Sequence, residues 1–139
     1  MGIHDLYGKK VMKKAFGVEY KDHGYPVQIV YGEGEPARID GTIGTQIAVE
    51  IESRTSKQVR GAILDLICHR YPFKLLVILP VHMSNPEVAV VQYRNILSRF
   101  IDKNKFNVVL LKGSGYMSDI EHDVTCVRVV AQRLQNYEA

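Results

Sequence analysis

Apolar positions along the chain change period several times, and each change marks an element. From residue 3 to 16, Leu6, Val11, Met12, Ala15 and Phe16 supply one apolar side at helical spacing, and Gly17 offers a stop. KDHGYP reads as turn, Val27 to Tyr31 alternates like a strand, and GEGEP turns the chain again. Arg38 to Ile43 and Gln46 to Glu52 read as two further strands joined in a hairpin around Gly44 and Thr45. Three strands in succession predict an antiparallel meander.

The period then lengthens. Val59, Ile63, Leu66, Ile67 and Arg70 recur every three or four residues, with Ser53, Thr55 and Ser56 as candidate caps, so a helix over about 56–70 follows. Tyr71-Pro72 ends it, and KLLVILPV from Lys74 to Val81 is a strand covered on both faces. Ser84-Asn85-Pro86-Glu87 opens a helix running to about Asp102, since serine caps and proline is tolerated in a first turn. Phe106 to Leu111 is a second buried strand, Gly113-Ser114-Gly115 a loop, and Ser118 to Asn136 a closing helix. The order α, β, β, β, α, β, α, β, α predicts one α/β domain over 1–139, three-layered α/β/α around a mixed sheet, with right-handed crossovers in its parallel part.

Composition adds bounds. At 139 residues with 46% hydrophobic content the chain fits one core. Its longest apolar runs are strand-length, short of the roughly 20 residues of a membrane span. The start, MGIHDLYGKK, lacks the charge and apolar pattern of a secretory signal, so a soluble cytoplasmic protein is expected. Cys68 and Cys126 stand among apolar neighbours in helical patterns and read as buried free thiols. His4, His23, His69, His82 and His122 share no metal-ligand spacing, and surface or satisfied core roles are expected of them, although His69 and His82 flank the fourth strand. KGSG at 112–115 lacks the spacing of a phosphate-binding loop. Net charge is only +3, but Lys9, Lys10, Lys13 and Lys14 repeat at helical spacing along one side of the first helix, where they read either as phosphate contacts or as a solvated face.

The candidate chemistry lies in QIAVEIES. Alternation sends Ile47, Val49 and Ile51 to one face and Ala48, Glu50 and Glu52 to the other. The two glutamates then project together, with about 7 Å between their Cα atoms. Like charges on one face of an interior strand repel and resist desolvation. With a turn near Gly44 and Thr45, Asp40 comes opposite Val49 or Glu50, gathering three carboxylates. Mg²⁺, with Mn²⁺ as an alternative, suits such oxygen donors and drives phosphodiester hydrolysis. A solvated face salt-bridged to Arg38, Arg54, Lys57 or Arg60 is the plain alternative.

With Asp40 in RIDGTI and Glu50 in VEIES, the chain resembles the PD-(D/E)XK superfamily of restriction-endonuclease-like nucleases. The common core of that superfamily, a helix, three antiparallel strands, a helix and a fourth strand, corresponds to residues from about 3 to 81, leaving 82–139 as an extension of the sheet. The resemblance implies that Asp40 and Glu50 bind metal. Ile39 precedes the aspartate in place of proline, and Glu52 takes the lysine position, giving ExE. Glu52 would then be a metal ligand or the group that handles the attacking water, or Lys57 substitutes for the missing lysine, with Arg54 on the phosphate. The resemblance also makes Gln58 and Arg60, at the start of the following helix, candidates to face the cleft, and Asp5 or Glu19 would be the acid contributed near the first helix. The expectation is a Mg²⁺-dependent DNA endonuclease, DNA in preference to RNA, acting as a homodimer. The alternatives are a catalytically inactive nucleic-acid-binding or regulatory module of the same fold, and an unrelated domain with a structural acidic face.

Overall fold

A computed structural model describes residues 3–30, 34, 36–53, 57–113 and 117–136, with backbone alone at 3–5, 57, 58, 82, 117, 118 and 136. The architecture is α/β, a five-stranded mixed sheet flanked by helices on both faces. In chain order the elements are α1 (Ile3–Phe16), β1 (Tyr20–Lys21), β2 (Gln28–Ile29), β3 (Ala37–Arg38), β4 (Gly41–Ile43), β5 (Ile47–Glu52), α2 (Lys57–Cys68), β6 (Phe73–Ile78), α3 (Pro86–Leu97), β7 (Phe106–Leu110) and α4 (Met117–Asn136). The sheet order is β1-β4-β5-β6-β7. β1, β4 and β5 pair antiparallel, while β5, β6 and β7 run parallel.

Alternation along the strands builds two core layers. Ile47, Val49 and Ile51 of β5 meet Leu75 and Val77 of β6 under Val11 and Met12 of α1 and Ile120, Val124 and Val127 of α4. On the other face Ala48, Leu76 and Ile78 pack against Val59, Ile63 and Leu66 of α2 and Val90, Tyr93 and Leu97 of α3. All six residues of β6 are buried, which is why its sequence is apolar but for Lys74, whose ammonium donates to the His69 carbonyl. Arg128 of α4 donates to the carbonyls of Ala15 and Lys14, 3.0 and 3.2 Å away, satisfying acceptors that the end of α1 leaves open.

The meander differs from the sequence reading in its first strand. Tyr20–Lys21 lies beside β4, whereas β2 pairs with β3 in a separate two-stranded ribbon. The reason is the anchoring of residues 25–28 on the end of α2: His69 Nε2 meets the Pro26 carbonyl at 2.7 Å, and Arg70 donates to the carbonyls of Gln28 and Tyr25. Tyr31, the end of that expected strand, lies outside the described residues. The expected strand Arg38–Ile43 is broken at Ile39 and Asp40, because the Ile39 N–H turns away to the Val27 carbonyl at 2.9 Å. The hairpin at Gly44 stands as read, with φ of 57° at that glycine.

Other differences are local. β6 stops at Ile78 because Pro80 begins a 3₁₀ turn, Pro80–His82. Asn85 caps α3 in place of Ser84, its side chain accepting from the Val88 N–H at 3.4 Å. α3 ends at Leu97, short of Asp102, in tight turns that leave Phe100 exposed. Both cysteines are free and helical, but neither is buried: Cys68 sits exposed at the last turn of α2 and Cys126 is half-buried on α4. Apolar neighbours in sequence do not fix which side of a helix a residue takes. No described helix is long and apolar enough to cross a membrane.

Candidate functional site

The β4–β5 register pairs Gly41 with Val49, so the next step outward sets Asp40 against Glu50. The two are linked directly. The Asp40 backbone N–H donates to Glu50 Oε1 at 2.7 Å, and Asp40 Oδ2 accepts the Ile51 N–H at 2.7 Å, continuing the ladder past the end of β4. Asp40 is held from its other side by Tyr20, whose hydroxyl donates to the Asp40 carbonyl at 3.4 Å. The Tyr20 ring lies across Gly41, where an added Cβ would overlap it, so that position admits no side chain while the ring stays.

Glu50 is only 7% exposed. Burial first, and then the Asp40 charge, push its carboxyl up to about 9, with Asp65 and Glu52 adding to the effect. Every side-chain charge acting on it among the described residues is thus another carboxylate. Burial, and then the charges of Asp40, Asp22 and Glu50, push the Tyr20 hydroxyl up. Glu52 projects from the same face one alternation further along and is half-buried, its Oε1 accepting the Ser53 N–H at 3.1 Å. Among the described residues no three His, Cys, Asp or Glu side chains form a group that holds a metal by themselves. The donor set that does meet, two carboxylates, suits a hard divalent cation that takes its remaining ligands from water and phosphate.

Asp65, which reaches Glu50 from α2, is absent from the acids read in the sequence. Its signal is a lone acid inside the apolar run AILDLIC. Arg54 lies outside the described residues, as do the side chains of Lys57, Gln58 and Asp5. Glu19 is exposed in the turn after α1, where its carbonyl accepts the Gly44 N–H at 3.0 Å.

The four lysines of α1 do not share one front. Lys9 and Lys13 turn to Asp22, at 3.8 and 3.3 Å, while Lys10 and Lys14 lie a further 100° around the helix. Seen on a helical wheel they span an arc, with one pair already engaged. His69 is a satisfied core residue at the opposite end of β6 from the acids: Nε2 faces the Pro26 carbonyl and Nδ1 accepts the Tyr71 N–H at 3.1 Å. Burial depresses its basicity. After β7, the fully buried Asp123 accepts the N–H groups of Lys112 and Gly113 at 2.8 and 3.0 Å and the Tyr7 hydroxyl at 2.6 Å, so this turn is pinned to α4 and α1. Compared with protein-family models, with curated proteins and with solved structures, the chain has no match in any of the three.

Proposed function

We propose that the protein is a metal-dependent phosphodiester hydrolase acting on nucleic acid, a DNA endonuclease of the restriction-endonuclease-like kind. The observation that carries this reading is buried Glu50 held against half-buried Asp40 on one rung of the hairpin. A buried carboxyl surrounded by other carboxylates is costly for a fold to keep, and a bound cation removes that cost. The succession of α1, the antiparallel strands β1, β4 and β5, then α2 and the parallel β6 supports the same reading, because it follows the order expected from the resemblance.

Asp40 and Glu50 would hold Mg²⁺ or Mn²⁺, which supplies polarisation of the scissile phosphate and a more acidic bound water. Backbone N–H groups orient one oxygen of each carboxylate, so both are positioned before any ligand arrives. Tyr20 and Gly41 fix the Asp40 backbone. Glu52, in the lysine position, would accept the proton of the attacking water. Lys10 and Lys14, and Lys9 and Lys13 in exchange for Asp22, would neutralise phosphates flanking the cut. A homodimer would present two such sites to the two strands of a duplex.

Plasmid, single-stranded DNA and RNA incubated with Mg²⁺ or Mn²⁺ test this reading. Cleavage that stops with EDTA and with Glu50→Ala is expected. Binding without cleavage, unchanged by Glu50→Ala, would instead support an inactive nucleic-acid-binding or regulatory module, which the glutamate at position 52 favours.

A further inference from the structure

Of the two sheet edges, β1 contributes two residues and β7 five, so β7 is the edge long enough to accept another strand. Its sequence, FNVVL, is uncharged and rich in strand-forming residues. Lys74 N–H bonds to the Lys105 carbonyl and Leu111 N–H to the Ile78 carbonyl, which fixes the parity of the parallel ladder. Asn107 and Val109 therefore face β6, and the backbone groups of Phe106, Val108 and Leu110 point outward.

At the centre of that edge Val108 is closed by side chains from both layers. Arg94 of α3 donates from Nη2 to the Val108 carbonyl at 2.7 Å. Asn107 Oδ1 accepts the Val108 N–H at 2.8 Å, and Arg94 Nη2 lies 3.5 Å from the same oxygen. A groove of about 430 Å³ runs along this edge, lined by Glu87, Val91, Arg94 and Asn107 with Val130 and Arg133 of α4.

We propose that β7 is a strand-accepting edge whose partner is β7 of a second copy, and that Arg94 and Asn107 form a clamp holding it closed. A two-fold axis through Val108 pairs the strands antiparallel, matching each outward N–H with a carbonyl of the other copy. The same axis runs the two α3 helices antiparallel. Glu87 and Arg94 stand seven positions apart on the groove side of α3, so each glutamate then faces the other copy's arginine. Opening exchanges the hold of Arg94 on Val108 for an ion pair with Glu87 of the second copy. The inference is independent of the acidic hairpin.

Two measurements test it. In the wild-type chain, amide exchange should show Val108 slowed well beyond Leu110, although both point to the open edge; equal rates overturn the clamp. So does Leu110 protection that grows with protein concentration, which would mean that the edge is already paired. Asn107→Val, which removes the acceptor and keeps Arg94, should tighten self-association by about tenfold or more in sedimentation velocity. Adding Glu87→Lys should abolish that gain by placing like charges across the axis. A folded Asn107→Val chain that associates no more than wild type, or a gain indifferent to Glu87→Lys, overturns the proposal.

Discussion

Replacing Glu50 with glutamine isolates the electrostatic cost at the hairpin. Glutamine keeps an oxygen to accept the Asp40 N–H and resembles the protonated acid, but never ionises. In the folded chain the Glu50 carboxyl is pushed from 4.5 up to about 9, so between those values the native state holds a proton that the unfolded chain releases. The unfolded state binds fewer protons there, and stability falls as pH rises through that window. The stabilising contribution is complete below 4.5 and lost by about 9. A tenfold change in proton affinity is worth about 1.4 kcal/mol, which makes the loss on the order of a few kcal/mol, and relaxation of the site around the ionised carboxylate reduces it.

Glu50→Gln should therefore match wild type near pH 4.5 and exceed it progressively toward pH 9. A gain of about 3 kcal/mol raises Tm by roughly 10 °C for a chain of this size. Thermal unfolding in EDTA at pH 5, 7 and 9 reads this directly. Saturating Mn²⁺ should restore wild type at high pH and leave the variant unmoved, because metal binding needs the ionised carboxylate. A gap that does not widen with pH, or a variant less stable at every pH, would rule out the buried charge as the source of the cost.

Gly41→Ala should cost about 1–3 kcal/mol, because its Cβ falls on the Tyr20 ring, and Tyr20→Leu in the same chain should recover part of that loss in urea denaturation. Asp123→Asn should destabilise by about 2 kcal/mol and raise exchange at the Gly113 amide, since a charged acceptor for two backbone N–H groups and the Tyr7 hydroxyl is lost. Cys68, exposed, should react with a thiol reagent at pH 8 at least about tenfold faster than half-buried Cys126, whose thiol burial pushes up.

Legibility in sequence follows the strength of the local pattern. Two-residue alternation in QIAVEIES correctly separates Ile47, Val49 and Ile51 from Glu50, because a strand's faces are fixed by its geometry. The near-continuous apolar run read from Lys74 to Val81 likewise announces a strand covered on both sides, which the structure forms over Phe73–Ile78. β1 and the ribbon β2–β3 are not legible, since two-residue strands carry no period and the ribbon's placement depends on His69 and Arg70, over 40 residues away in sequence. Asp65 escapes notice for a related reason. Its approach to Glu50 depends on how α2 crosses the sheet, which a helical period alone does not give. The lysine quartet promises more than it delivers, because spacing places side chains on an arc and says nothing of Asp22 across the turn.

Anomalous diffraction from crystals grown with Mn²⁺ puts the metal assignment to its sharpest test. One strong peak is expected at about 2.0–2.3 Å from a carboxylate oxygen of Asp40 and one of Glu50, absent from Glu50→Gln crystals. Mn²⁺ bound elsewhere, with these two carboxylates still turned to the backbone and unliganded at saturating metal, would overturn the assignment.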